Sequence, residues 1–367
     1  RNFRRMQSIN IRVPGIFLDI DGVLIKMQTP IPNASHAIKL LRTPLSQLDS
    51  QRFSDCHVSI PFCCLTNAGK DTEKKKAEAV SGILRLEDHH KLTHKEVIVN
   101  FTPLRPIFEE YKEKLVMLVG VGDLHASAEE VGLKKYITDE EFCILFPKAV
   151  PYKEQKSQET FERTRKEVAK RLETEGLDDP HELQMNAIFI LNDPDQWGER
   201  IQIICDFLST SNGTIAKEMP VVGPADHIPV YCTNNDLLYE DDFALPRMTF
   251  GCFNQALLQV YKTVYKRDLE LKMYGKPQMP TFKYAESHLK AMTGLEISRF
   301  YMIGDSPKSD IRGGNAAGWV TILVQTGIFK KTETRLNDPN DPAAHVVENV
   351  AEAIRLICRL EGIECNL

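Results

Sequence analysis

The feature that most restricts the fold is a set of short apolar runs, each stopping at a polar residue or a glycine. They are GIFLDIDG (15–22), VSIPFCCLTN (58–67), EVIVNF (96–101), LVMLVGVG (115–122), NAIFIL (186–191), PVYCTN (229–234), RFYMIGD (299–305) and VTILVQTG (320–327). Hydrophobicity that is continuous rather than alternating belongs to strands buried on both faces, as in a parallel sheet. Helical patterns separate the runs, among them KDTEKKKAEAVSGILRLE (70–87), PTFKYAESHLKAM (280–292) and VAEAIRLICRL (350–360). Strand–helix alternation of this kind predicts an α/β fold with a Rossmann-like, doubly wound parallel-sheet core.

A chain of 367 residues is too long for one ordinary core, so two domains or three are expected. Residues 152–185 break the rhythm with a highly charged stretch whose opposite charges recur at i,i+4, the pattern of a solvent-facing helix. A second strand–helix unit follows: NAIFIL, WGERIQIICDFLS, then PVYCTN. The expected organisation is a core of residues 15–146 and 248–367, with an α/β cap domain inserted at 147–247. Residues 1–14 hold four arginines and no acid. They read either as the remnant of a mitochondrial presequence or as a basic leader before the first strand.

Composition narrows the partners. A formal net charge of −5 argues against a nucleic-acid-binding surface. No apolar stretch approaches the ~18 residues that a membrane-spanning helix needs. The nine cysteines form no Cys-x-x-Cys and mostly sit in apolar runs, which is the usage of a reducing compartment. In such a compartment the sequons at Asn33, Asn100 and Asn212 carry no meaning. Cys63 and Cys64 read as buried packing groups. The histidines show no zinc spacing. Gly313–Gly318 fits a dinucleotide fingerprint poorly and reads as close helix–sheet packing.

Four segments carry residues suited to phosphate chemistry: Asp19-x-Asp21, Thr66-Asn67, Lys276 at the mouth of a helix, and Asp305 with Asp310. Open α/β sheets bind ligands outside the carboxyl ends of their strands, so the fold gathers these segments into one crevice. There the four carboxylates would be opposed by Lys276 alone. At an effective dielectric of ~20, each like-charge pair at ~4 Å costs about 4 kcal/mol. A cluster of this kind stays ionised when a divalent cation neutralises it, and an all-oxygen ligand set suits Mg²⁺. A carboxylate beside the metal can attack phosphorus while its neighbour protonates the leaving group. Thr66 and Lys276 would bind the phosphoryl oxygens.

Asn67 reads equally as a turn residue or a substrate contact. Asn234, Asn235, Asp236 and Tyr239 follow a strand and are candidate substrate-facing groups, a capping loop being the alternative. Asp193 and Trp197 read either that way or as a helix start held by a packed indole.

Together these segments resemble the four motifs of the haloacid dehalogenase superfamily: Asp19 with Asp21, Thr66, Lys276, and Asp305 with Asp310. The resemblance implies that Asp19 is the nucleophile and Asp21 the general acid/base. It implies Mg²⁺ held by Asp19, the backbone carbonyl of Asp21 and Asp305, with Asp310 supporting. Asp21 marks the phosphatases of that superfamily, so dehalogenation is not expected. The insertion resembles the large cap of subfamily IIA. Residues 192–213, 228–247, 274–286 and 304–329 are similar to the cat eye syndrome critical region protein 5 family, also called haloacid dehalogenase-like hydrolase domain-containing protein 5.

Two segments depart from that family: Asn67-Ala68-Gly69-Lys70, which adds a charge, and Asn100-Phe101-Thr102-Pro103. The implied function is hydrolysis of a small phosphorylated metabolite, a large cap excluding polymers. A phosphotransferase sharing every motif and a non-catalytic binding protein are the alternatives. A homodimer through the cap and a mitochondrial location, with the cytoplasm second, are also implied.

Overall fold

The computed structural model describes residues 12–54, 56–174, 176–239, 243, 245–332 and 334–364. Most of the Arg-rich leader (residues 1–11) lies outside them. Its last residues, Arg12 to Pro14, are already the start of the first strand. Two parallel sheets use β1 (Arg12–Leu18), β2 (Phe62–Leu65), β3 (Val97–Ile98), β4 (Val116–Val119), β5 (Tyr136–Thr138) and β6 (Ala187–Ile190). They are followed by β7 (Val230–Cys232), β8 (Leu271–Met273), β9 (Glu296–Gly304), β10 (Val320–Val324) and β11 (His345–Val347).

The chain divides into two units, the first containing residues up to Thr66, Glu73–Ile98 and Lys276 onward. Its sheet runs β11-β10-β9-β1-β2-β3, with every pairing parallel. The successive strands β1, β2 and β3 step to one side, and β9, β10 and β11 to the other. The chain therefore reverses direction between β1 and β9, and a crevice opens there at the carboxyl ends. Both faces of β1 are buried from Val13 to Leu18, which is why the run is apolar without alternation. Phe17 stacks on Trp319 with ring centroids 4.5 Å apart. Phe282, Ala285 and Leu289 on the helix Met279–Thr293 close over the same cluster.

Gly313 and Gly314 let the helix Arg312–Ala316 press against Phe282, Met302 and Thr321, since a Cβ on either glycine would strike them. The packing reading of that glycine-rich run holds. Cys63 and Cys64 are buried, and burial pushes both thiols up.

The second unit contains residues 67–72 and 99–275, with a parallel sheet ordered β8-β7-β6-β4-β5. The expected boundaries at 147 and 247 are thereby corrected. Residues 99–146 supply β4 and β5, and 248–275 supply β8 and the helix Phe250–Tyr265, all built into this unit. The physical reason is that a strand buried on both faces has the same apolar pattern whichever sheet it joins. Phe250, Phe253, Leu257 and Tyr261 of that helix pack into one cluster with Met117, Ile188 and Val230.

The charged segment forms the helix Gln158–Leu172, capped by Ser157 and burying only Thr164, Val168 and Leu172. Trp197 opens the helix Trp197–Phe207, donates from its indole N–H to the Pro194 carbonyl at 2.9 Å and packs edge-on to Phe253. The packed-indole reading is the one the fold realises. Among the described residues, no helix is long and apolar enough to cross a membrane.

Candidate active site

Strand register builds the site. Leu18 of β1 lies opposite Cys64 of β2 and Ile303 of β9. Asp19, Thr66 and Asp305 therefore emerge at three adjacent strand ends. The Asp19 N–H donates to the Ile303 carbonyl at 2.9 Å, and the Thr66 N–H to the Ile98 carbonyl at 3.0 Å. Past β9, a wide turn over Pro307–Ile311 swings Asp310 back beneath the strand end. There its Oδ2 accepts the Ser306 N–H at 3.1 Å. Gly304 leaves room for it, because a Cβ there would fall on the Asp310 side chain.

The carboxylates of Asp19, Asp305 and Asp310 come within 4.8 Å of one another, all three buried. Lys276, whose side chain is 2% exposed, binds Asp19 Oδ1 at 2.9 Å and Asp310 Oδ1 at 2.7 Å. Asp19 Oδ1 also accepts the Ile20 N–H at 2.8 Å, which leaves Oδ2 outside these bonds. Burial is the main cause that pushes the Asp19 carboxyl well above its usual range; Lys276 opposes this, while Asp310 and Asp305 add to it. Burial, then the charge of Asp310, pushes Asp305 up to about 7 against the Ile328 N–H and Lys276. Burial disfavours the Lys276 ammonium, but Asp19 and Asp310 outweigh it and its pKa rises.

Three carboxylates and one ammonium sum to a formal charge of −2, so the donor set fits a divalent oxygen-binding cation.

Asp21 does not join this group as expected. Its side chain is half exposed and meets Lys76 Nζ at 3.4 Å. Three acids rather than four gather around Lys276, because Asp21 lies three residues beyond the end of β1, where the chain has already turned. Gly22 at φ +82° follows, and its N–H donates to the Ile25 carbonyl at 2.7 Å. Sequence reasoning missed three residues here: Lys76, Gly22 and Gly327. A Cβ on either glycine would land on the Asp305 carboxylate. Gly327 closes the quoted run VTILVQTG, so the glycine was visible as a strand end, though not what it touches.

In the second unit, Asn67 Nδ2 donates to Asp236 Oδ2 at 2.9 Å and to Asn234 Oδ1 at 3.3 Å. These three expected substrate contacts are thus brought together. Asn235 lies within 3.4 Å of Asn254 Nδ2, and Tyr239 is exposed on a short strand. Asn100 Nδ2 donates to the Leu191 carbonyl at 2.6 Å and to Thr233 Oγ1 at 2.8 Å, a structural tie within this unit. Asp193 Oδ2 accepts the Thr249 hydroxyl at 2.5 Å.

A family model described as haloacid dehalogenase-like hydrolase matches residues 16–134, and a second, described as HAD-hydrolase-like, matches residues 273–353. The two cover the end of β1 with Asp19 and Asp21, Thr66, Lys276, and β9 with Asp305 and Asp310. The chain belongs to the haloacid dehalogenase-like hydrolases. It is 30% identical over 344 residues to a cardiolipin synthase (CMP-forming)/mitochondrial hydrolase fusion protein of Schizosaccharomyces pombe. That match covers 92% of this chain and 52% of the relative, so the chain spans about half of that protein's length. A mitochondrial hydrolase of Saccharomyces cerevisiae is 25% identical, covering 85% of this chain and 87% of the relative.

Solved structures share the fold of this hydrolase. A p-nitrophenyl phosphatase from Archaeoglobus fulgidus has a TM-score of 0.58 at 15% identity, covering 94% of this chain and 100% of that one. A glycerol phosphate phosphatase from Mycobacterium tuberculosis, in complex with magnesium, has a TM-score of 0.55 at 14% identity, covering 92% and 76%. The narrower resemblance to the cat eye syndrome critical region protein 5 family rests on the sequence segments alone.

Proposed function

We propose that this hydrolase is an Mg²⁺-dependent phosphatase that cleaves a small phosphomonoester through an aspartyl phosphate on Asp19. The observation that carries the reading is the buried triad Asp19, Asp305 and Asp310, within 4.8 Å and bound by Lys276. Asp19 Oδ2 attacks phosphorus as the ester P–O bond breaks, and Asp21 gives its proton to the departing alkoxide. Asp21 then takes a proton from water, whose oxygen attacks phosphorus, and the bond to Asp19 breaks to release phosphate. Thr66 and Lys276 bind the phosphoryl oxygens, where charge develops in the transition state. Asn67, Asn234 and Asp236 are retained as substrate-contacting groups.

Asp19, Asp305 and the backbone carbonyl of Asp21 would hold Mg²⁺, with Asp310 behind them. Bound there, the ion offsets carboxylate charge and polarises the phosphoryl oxygens. The fold shared with a magnesium-bound phosphatase supports this choice. A mitochondrial location is part of the same reading, supported by the names of the two relatives. The homodimer through the cap stays with the family resemblance.

The test is phosphate release across a panel of small phosphomonoesters, with and without chelator. Release that disappears on chelation and returns with added Mg²⁺ is expected. Silence across the panel while the protein still binds Mg²⁺ would sink the phosphatase reading.

Gly327→Ala is a second check. A Cβ there meets the Asp305 carboxylate and forces it aside. Mg²⁺ affinity, read from the metal dependence of phosphate release, should fall about 10–100-fold, the usual range for disturbing the support of a metal ligand. Unchanged affinity would remove Asp305 from the metal site.

A further inference from the structure

Lys76 lies on the helix Glu73–Ile83, in the same unit as Asp19 and Lys276. Its side chain is only 15% exposed, yet the ammonium makes a single contact among the described residues, 3.4 Å to Asp21 Oδ2. An ammonium carries three donors, and a lysine whose stem is this largely covered has its charged end placed by the side chains around it. At 3.4 Å the contact is longer than an ordinary N–H···O bond, so it does not commit the ammonium to Asp21. Lys276, by contrast, is committed at 2.9 and 2.7 Å to Asp19 and Asp310. The partner that Lys76 does have is the acid that serves the leaving group, so the ammonium stands beside the departing side of the ester rather than its phosphoryl side.

We propose that Lys76 is a specificity-determining residue that binds a second acidic group carried on the leaving group. The substrate class is then a phosphomonoester of a hydroxy acid or a comparable anionic alcohol. This inference rests on the phosphatase reading for where the leaving group lies, and it adds the chemical class of that group. A carboxylate there accepts the hydrogen bonds that Asp21 does not fill, and Lys76 supplies the charge to hold it. Lysine suits the task as a compact, adjustable point charge.

The test compares matched pairs that differ by one carboxylate: 2-phosphoglycolate against ethyl phosphate, and 3-phosphoglycerate against glycerol 3-phosphate. For each pair the ratio of kcat/KM is measured in the wild type, Lys76→Met and Lys76→Arg. Binding of the non-hydrolysable pair 3-phosphonopropionate and propylphosphonate is measured by calorimetry in the same three proteins with Mg²⁺ present.

The wild type should prefer the acidic member at least about tenfold, the scale of one charge-assisted hydrogen bond. Lys76→Met should bring the ratio close to one, and Lys76→Arg should restore much of it. Because each ratio is internal to one protein, partial loss of folding cannot imitate the result. A wild-type ratio near one, a ratio that survives Lys76→Met, or no binding by the acidic phosphonate would overturn the inference. Phosphate release absent while the binding ratio responds to Lys76 would instead defeat the catalytic reading and leave the anion site standing.

Discussion

Asp19→Asn should abolish phosphate release, by at least about 10³-fold, while leaving the fold intact or firmer. The loss follows because an amide cannot act as the nucleophile, and removing a nucleophile has cost on the order of 10⁶ in kcat where it has been dissected. The second half separates a reacting group from a structural one. Burial and the charges of Asp310 and Asp305 all disfavour an ionised Asp19, with Lys276 alone among the named charges supporting it. A neutral isostere relieves those costs, and Lys276 keeps its 2.7 Å bond to Asp310. The metal-free variant should therefore melt no lower than the wild type. An inactive variant that also melts several degrees lower would mean that Asp19 is chiefly a structural ion-pair partner. Full activity would remove the aspartyl phosphate.

Lys276→Met should be costly in both respects. The ammonium is the cation seated between two buried carboxylates, with Asp310 fully buried. Breaking a buried pair by removing one member costs about 3–5 kcal/mol, because the other charge is left without compensation. Folding stability of the metal-free variant, from urea unfolding, should drop by that order, and phosphate release should fall with it.

The pH dependence has a definite sign. Asp19 and Asp305 already have raised pKa values, Asp305 at about 7. A carboxyl raised in the folded state stabilises the fold below its unfolded value and loses that contribution as pH rises through the folded one. The deficit of the variant should accordingly be smaller at pH 5 than at pH 8, and Mg²⁺ should narrow it at the higher pH. A deficit that grows on acidification would show that Lys276 is not the charge holding these acids.

Much of this was legible in the chain. The run Ile16–Ile20 with its terminal acid could be placed at a strand end because an apolar segment buried on both faces needs no partner information to be recognised. The strand end, the helix start and the residue types then selected Asp19, Thr66, Lys276 and Asp305, although Asp19 and Asp310 are nearly 300 positions apart. The helix Phe250–Tyr265 was missed, yet Phe250, Phe253, Leu257 and Tyr261 follow the i, i+3/i+4 spacing that would have found it. Lys76 sits in KDTEKKKAEAV, one of three consecutive lysines that nothing in the sequence tells apart. Only its position on the helix separates it from its neighbours, for its side chain is turned inward toward Asp21.

By itself the sequence determined the class of fold and the chemistry of the crevice. Continuous apolar runs point to parallel strands, and acids with one lysine at their ends suit a divalent cation. Tertiary structure alone decided which sheet each strand joined, since β3 and β4 carry the same kind of pattern and pair in different sheets. It alone also divided the acids, three around Lys276 and Asp21 turned to Lys76. Periodicity reports whether a side is buried, but not against what. The partner of a buried group is set by register and by close approach of the backbone, as at Gly22 and Gly327 over Asp305. Both depend on residues outside the local segment, 22 positions away for Gly327 and 283 for Gly22.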